Sequence, residues 1–582
     1  MTPATLTRPE AQGLRREAPA GSSRRELETA VDTVRESASR FARLSLDERV
    51  ALARSMQLGY LQIAEDSVRA ACLAKGIPLG TPLEGEEWAL GPFVVVRHLR
   101  LIQQSLLALK HTGNTPTGEL SRTPDGRLAV QVFPTGAIDG LLFNGVRVDV
   151  HLQAGVTEAG FHESRAQFYK APDHQGRVAL ILGAGNINAI PSMDAITKLF
   201  NEGKTCVIKM NPVNAYVGPY LEIAFARAIA EGFLAIVYGG SEEGEYLVNH
   251  PGIDEVHITG SDKSYDRIVW GPPGPERNAR KAHDRPLVNK PVTAELGNVS
   301  PVIVVPGPYT ASELAYQAQD IGAAVACNAS FNCNAATMVV TPRGWKGRDD
   351  LLAALERTLA ATPVRKAYYP GAKDRWQALA GWRQTRKLLG TAGPDSLPWT
   401  ILPDLDPTDR NEPAFNTEPF CSIISETQVA SDDPVEFLEE AVNFANDRLW
   451  GTLSAGMVVH PKLMKDPRVA QAVEQAIVRL RYGVVAVNAW SGYVFAYAAP
   501  PWGAHPSSSR DNIQSGCGWV HNTPMIEGIE KAVLRHPVTM TPKPSYFHTH
   551  RTADTLMRRM TGLEEQASWG RVPGVLAAAM RA

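Results

Sequence analysis

"RVALILGAGNINAIPSMDAITKLFNEGKTCVIKM", Arg177–Met210, decides the architecture. It reads as a β-rich run ending at Gly183, a helix starting near Pro191 or Ser192, and a second β-rich run, "TCVIKM". Strand, helix and strand in so short a span require a crossover, which lays the two strands parallel and is right-handed. The texture continues with "LAIVYGG", "DEVHITG" and "PVTAELG" as strands, and "YLEIAFARAIAEG", "GEYLVNH" and "YDRIVW" as helices. Such alternation predicts a parallel sheet covered on both faces. A second run, from "PVIVVPG" through the helix "ASELAYQAQDIGAAVACNAS" to "ATMVVTP", "EAVNFAND", "SAGMVVH" and "GVVAVN", predicts another α/β domain over about 297–505. Between the runs, "GPPGPERNARKAHDRP" (271–286) reads as a polar surface loop.

Upstream, residues 25–110 carry apolar positions at helical spacing, and residues 111–175 are turn-rich with strand-like pieces such as "RLAVQVFP" and "VRVDVHLQ". Downstream of about 538 the chain reads as an extended arm followed by helices. The "HTH" there, His548 and His550, has no third ligand nearby in sequence, so both are expected at the surface and no metal is expected. Residues 1–24 read as a flexible tail without the apolar core of a signal peptide.

At 582 residues the chain exceeds one ordinary core. A net charge of -2 gives no reason to expect a nucleic-acid or membrane-surface partner. No window approaches the roughly 20 apolar residues that span a bilayer. The six cysteines, at 72, 206, 327, 333, 421 and 517, form no CxxC pair, which argues against structural zinc and a disulfide framework and fits a reducing cytoplasm.

Three stretches read as sitting at strand ends, where open parallel sheets place their ligands. In "ILGAGNINAIP" the glycines suggest a phosphate-binding turn, but Asn188 breaks GxGxxG, and a tight strand-to-helix turn explains it equally. In "TAELGNVSP", Glu295 ends an apolar strand, where a carboxylate is costly to bury and so is paired, exposed or poised as a base. In "NASFNCNAATMVV", Cys333 follows a helix and is either an inert small hydrophobe or a nucleophile.

Together, the order and flanking residues of these stretches resemble the aldehyde dehydrogenase superfamily over about 130–540. "AELGNVSP" resembles its E-L-G-G-K-S-P, "NASFNCNA" its N-x-G-Q-x-C-x-A, "VHITGS" its F-T-G-S, and "NTEPFCSII" its E-x-F-G-P-V. "NDRLWGTLSAGMVV" and "GVVAVNAW" are similar to its N-x-x-x-Y-G-L-x-A and G-x-V-x-V-N. The resemblance implies an α/β fold of two Rossmann-like parallel-sheet domains plus a small β oligomerisation arm. It divides the chain into a cofactor-binding domain (25–296, with oligomerisation strands within about 130–175) and a catalytic domain (297–505). Residues 506–582 then return to the cofactor domain and add the arm and extra C-terminal helices, for which the family offers no counterpart.

What the resemblance implies chemically is a divergent, non-acylating, NAD(P)-dependent enzyme that oxidises an aldehyde to a carboxylic acid. Cys333 would be the nucleophile, Glu295 the general base and Asn186 the oxyanion-holding amide. Cofactor contacts are implied at Lys209, Gly260, Ser261, Leu296, Glu418 and Phe420, with Glu418 on the nicotinamide ribose and Phe420 against the ring. The family's aromatic-rich tunnel segment corresponds to "AWSGYVFAYAAPPWG", which nominates Trp490, Tyr493 and Phe495 as substrate contacts and an apolar or aromatic aldehyde as substrate. A homodimer or homotetramer is expected.

The departures are specific. Ala184-Gly185 replace the family's Pro-Trp, Ser330-Phe331 its Gly-Gln, and Asn298-Val299 its Gly-Lys, while Tyr265 stands where a glycine follows F-T-G-S. Pro212 occupies the place of a glutamate that binds the adenosine 2'-hydroxyl; without that charge a 2'-phosphate is tolerated, which puts NADP slightly ahead of NAD. Two alternatives stay open. In one, coenzyme A resolves the thioester, against which Glu295 argues; in the other, the fold serves as a catalytically silent scaffold or binding protein.

Overall fold

A computed structural model describes residues 19–171 and 174–582; most of the expected N-terminal tail therefore lies outside the described residues. The chain enters through three long helices, Arg24–Ala42, Leu46–Lys75 and Val94–Thr112. Ser23 and Ser45 each open their helix by accepting from the backbone N–H three residues on, while Glu26 and Glu48 reach back to the cap, so the first orphan donors are satisfied on both sides. Leu46–Lys75 stops at Gly76, whose φ of 68° lies in the left-handed region that glycine adopts without steric cost.

Among the described residues the strands form two large sheets and one small pair. The first sheet runs Gly516–Cys517, Val292–Leu296, Glu255–Gly260, Val178–Leu182, Thr205–Lys209, Leu234–Val237. All but the first strand are mutually parallel. Its apolar runs are nearly continuous because helices cover both faces. Register sets Thr259 beside Glu295 and His257 beside Thr293.

The second sheet has eleven strands. Its parallel centre runs Ile529–Arg535, Val484–Val487, Ser454–Val458, Ser300–Val304, Ala336–Pro342, Ile423–Val429, Trp399–Leu405. Beyond Ile529–Arg535 it continues with Arg147–Leu152, Leu128–Phe133 and Leu120–Arg122, all antiparallel. The strands expected within 130–175 thus join this sheet inside one chain. The alternating runs read from sequence correspond to strands or helices here, whereas Trp399–Leu405, Ile423–Val429 and the helices Gly347–Ala361 and Pro467–Arg479 were not anticipated.

Three local expectations are corrected. Residues 271–286 are not all loop, because Pro275–Ala282 is a helix: Pro275 suits its first turn, Glu276 its amino end, and Arg280 and Lys281 its carboxyl end. None of its residues is buried, so the segment is still surface. The helix before Cys333 ends earlier than read, at Ala326, and Asn328 and Ala329 just after it have non-helical backbone. His550 is buried rather than at the surface, its Nδ1 accepting from the Thr552 backbone N–H, because the C-terminal helices fold back over it.

Those C-terminal helices, Ala553–Glu565 and Val572–Ala579, pack on the N-terminal helical layer. Glu564 accepts from Arg97 and Arg100 at 2.6 Å each, and Arg97 also donates to both Asp139 oxygens at 3.1 and 2.7 Å. No helix among the described residues is long and apolar enough to cross a membrane.

Candidate active site

A cleft of about 1090 Å³ opens at the carboxyl ends of the first sheet's strands and reaches the amino ends of two strands of the second. Its floor begins at Lys209, passes Gly260 and Ser261, and ends at Glu295, Cys333 and Glu418. The first sheet supplies Lys209, Gly260 and Glu295 as the last residues or near-last residues of strands. The second sheet supplies Cys333 from the loop ahead of Ala336–Pro342, and Glu418 and Phe420 from the loop ahead of Ile423–Val429.

Cys333 is half-buried and lines the same end of the cleft as Glu295. Burial pushes the Glu295 carboxyl up to about 8, Asp194's charge adds to the rise, and the nearby polar groups of Cys333 and Trp502 oppose it. Burial likewise pushes the Cys333 thiol well above its ordinary range, and Glu295 beside it pushes the same way. The resting pair is therefore a thiol against a largely protonated carboxyl at neutral pH.

The loop carrying the thiol is held in an uncommon backbone. Asn328, Ala329 and Ser330 have φ values of 51°, 56° and 71°, costly for residues with a Cβ. Side chains fix it: Ser330 Oγ donates to the Val325 carbonyl at 2.6 Å and Asn332 Nδ2 to the Cys327 carbonyl at 2.9 Å. Asn186, nominated as the oxyanion amide, lines the cleft and donates one N–H to the Phe331 carbonyl at 2.9 Å. An amide NH₂ has two donors, so its second remains for the cleft.

At the far side, Glu418 is pressed against Gly297, where a Cβ would overlap its carboxylate, which gives the "ELG" glycine a physical reason. Burial holds the Glu418 carboxyl well above the usual range, with Arg375 opposing, and Oε1 of both Glu418 and Glu295 is buried without a partner among the described residues. Arg375 donates to the Pro419 and Phe420 carbonyls at 3.2 and 3.1 Å and lies 5.7 Å from the Phe420 ring, so it carries the loop that presents both residues. Ser261 is the cap of helix Asp262–Trp270 and accepts from the Ser264 backbone N–H. Leu296 is fully buried in the core beneath this floor and does not itself line the cleft.

Trp490, Tyr493 and Phe495 stand outside this cleft. Trp490 donates its indole N–H to the Asn334 carbonyl at 2.8 Å, bracing the residue after Cys333. Tyr493 stacks on Tyr497 at 5.5 Å, and Phe495 packs on Trp502 and His521 at 5.6 and 4.6 Å. Sequence reasoning missed Arg375 and Asp194. Asp194 is buried and accepts from Thr259 at 3.0 Å; an acid inside the apolar run "SMDAIT" was the available signal.

Residues 171–373 match the model of the aldehyde dehydrogenase family. The fold is shared with NADP-dependent glyceraldehyde-3-phosphate dehydrogenase from Bacillus halodurans C-125, complexed with NADP: 18% identity, 88% of this chain, 91% of that chain, TM-score 0.58. It is shared equally with aldehyde dehydrogenase C from Pseudomonas syringae, in a mutant form complexed with NAD+ and octanal: 18% identity, 88% of this chain, 89% of that chain, TM-score 0.59. A third similar structure is a putative aldehyde dehydrogenase from Burkholderia cenocepacia, at 18% identity over 89% of this chain and 93% of that chain, TM-score 0.58. No curated protein is matched by the chain's sequence. The family match thus covers residues 171–373, and the fold of most of the chain is that of aldehyde dehydrogenase structures.

Proposed function

We propose that the protein oxidises an aldehyde to its carboxylic acid with NADP or NAD as hydride acceptor, consuming one water and releasing one proton. The observation that carries this is that Cys333 and Glu295 line one long cleft together with Asn186 and Glu418. The cleft suits an extended dinucleotide: it is long, it has a lysine at one end, and at the other the unpartnered Glu418 Oε1 is a ready acceptor for a ribose hydroxyl. When bound, the nicotinamide supplies the hydride acceptor.

Glu295, once ionised, takes the thiol proton as Cys333 Sγ forms a bond to the aldehyde carbon, giving a thiohemiacetal. The second Asn186 N–H and the Cys333 backbone N–H hold the developing oxyanion. Loss of hydride leaves a thioester on Cys333. Glu295 then releases the thiol proton to solvent and deprotonates a water that attacks the thioester carbon; the C–S bond breaks, the acid leaves, and the sulfur takes the proton back from Glu295. A carboxyl near 8 suits this traffic, because it both accepts and returns protons near neutrality.

Pro212 lines the adenosine end, and burial lowers the Lys209 ammonium while Glu243 opposes, so a 2'-phosphate meets a cation rather than a carboxylate at position 212; this supports NADP ahead of NAD. The test is absorbance at the reduced-nicotinamide band with NAD or NADP and a panel of short, long and aromatic aldehydes, beside a Cys333→Ala control. Turnover lost in the control supports the reading. Silence across the panel with Cys333 inert to iodoacetamide defeats it.

A further inference from the structure

Beneath the cysteine loop, on the side away from the cleft, sits a buried cation that the chemistry above does not use. Lys75, the last residue of the helix Leu46–Lys75, is 3% exposed. Its ammonium donates to both Glu87 oxygens at 2.8 and 3.1 Å, to Asn328 Oδ1 at 3.0 Å and to the Asn186 main-chain carbonyl at 3.3 Å. Tyr368 OH, with one proton to donate, lies 2.9 Å from both Asn328 Oδ1 and the Asn186 carbonyl. With its oxygen so engaged, the Asn328 amide can turn its NH₂ only one way, toward the Asn186 and Phe331 carbonyls, both at 3.0 Å.

We propose that Lys75 is the positioning residue of the Cys333 loop, acting through Asn328 and the Asn186 main chain to hold the thiol and the oxyanion amide in register. Three features carry this. Asn328 opens the left-handed run Asn328–Ser330, and strain of that kind persists only where surrounding groups over-determine it. Asn186 and Asn328 both end on the Phe331 carbonyl, two residues before Cys333, so whatever fixes their orientation fixes the approach to the thiol. Finally, the ammonium is matched by Glu87 and bonded on every side, so it holds its acceptors as a rigid node and not as a wandering surface charge. Lys75 and Asn328 are 253 positions apart, so the device joins the N-terminal helices to the catalytic loop.

The inference rests on Cys333 being the nucleophile, and the experiment separates the two. The variants are the charge-neutral pair Lys75→Met with Glu87→Gln, and Tyr368→Phe, which removes one hydroxyl and no charge. Amide hydrogen exchange is followed over 327–334 and over the rest of the chain, and kcat and KM are measured with whichever aldehyde the wild type turns over. The expected result is exchange faster by about tenfold or more confined to 327–334. With it, kcat falls about 100-fold in the paired variant while KM moves less than about threefold, since misplacement of the order of 1 Å costs that much. Tyr368→Phe should show the same pattern, smaller. Wild-type exchange over 327–334 in both variants overturns the proposal, as does loss of protection across the whole chain in the pair with Tyr368→Phe unchanged. If the wild type turns over nothing, the functional reading fails while the exchange comparison still decides the role of Lys75.

Discussion

The carboxyl of Glu295 offers the sharpest prediction, because one number governs both activity and stability. Its midpoint is near 8, against 4.5 for an ordinary glutamate. A base with that midpoint is ionised in about one molecule in ten at pH 7 and in about nine in ten at pH 9. Since only the ionised form accepts the thiol proton, kcat/KM for aldehyde should climb about tenfold across that interval, with its bend near 8. Glu295→Gln should lose the bend and most of the activity. The same displacement has a cost in stability, and its sign is opposite to that of a salt-bridged acid. The folded state holds the proton more tightly than the unfolded chain, so the stabilising contribution is complete below pH 4.5 and drains away as pH rises toward 8. Fully expressed, it amounts to about 5 kcal/mol.

Glutamine keeps the shape and has no charge to bury. Glu295→Gln should therefore melt with the wild type at pH 4 and clearly above it at pH 9. The assays are steady-state rates read at the reduced-nicotinamide band between pH 6 and 10, and thermal unfolding of both proteins at the two extremes. A bend near 5, or a bend at 8 retained in Glu295→Gln, would refute the assignment, since the latter would belong to the thiol. Parallel melting at both extremes would refute the buried, protonated carboxyl.

Asp194→Asn removes a charge that helps raise Glu295, so the bend in kcat/KM should move to lower pH; a bend that stays put would mean the charge is not felt. Asn186→Ala should lower kcat by about 100-fold or more with little change in cofactor KM, the cost of one oxyanion donor; a change in KM alone would argue for a purely structural amide. Gly297→Ala forces Glu418 out of its place and should weaken cofactor binding, read by fluorescence titration, while iodoacetamide still reaches Cys333. Arg97→Met strands the buried Asp139 and Glu564 and should cost about 3 kcal/mol or more in urea unfolding, far from the cleft.

The legible parts of this protein are those whose cause is local. A strand–helix–strand period is written within about thirty residues, so both parallel sheets could be read at their centres. Glu295 and Cys333 could be singled out because each sits beside its own strand, and Glu418 because its stretch resembles a family motif; all three line one opening. What escaped reading is held by distant partners. The strand Arg147–Leu152 joins the sheet's parallel centre through Ile529–Arg535, nearly four hundred residues later, and no local period announces that pairing. Trp490 is nominated because its aromatic-rich segment corresponds to the family's tunnel, and nothing in that segment foretells that its indole N–H donates to the Asn334 carbonyl. Lys75 closes an ordinary amphipathic helix, and nothing around it in sequence foretells two asparagines and a glutamate as its neighbours. The departures around Cys333 follow from that arrangement. Ser330 and Phe331 are not idle substitutions, because the Ser330 hydroxyl ties the loop to Val325 and the Phe331 ring packs edge-on against Tyr368 at 4.9 Å and beside Phe420 at 5.7 Å. A loop braced in this way needs its support from outside the motif, and the N-terminal helices provide it.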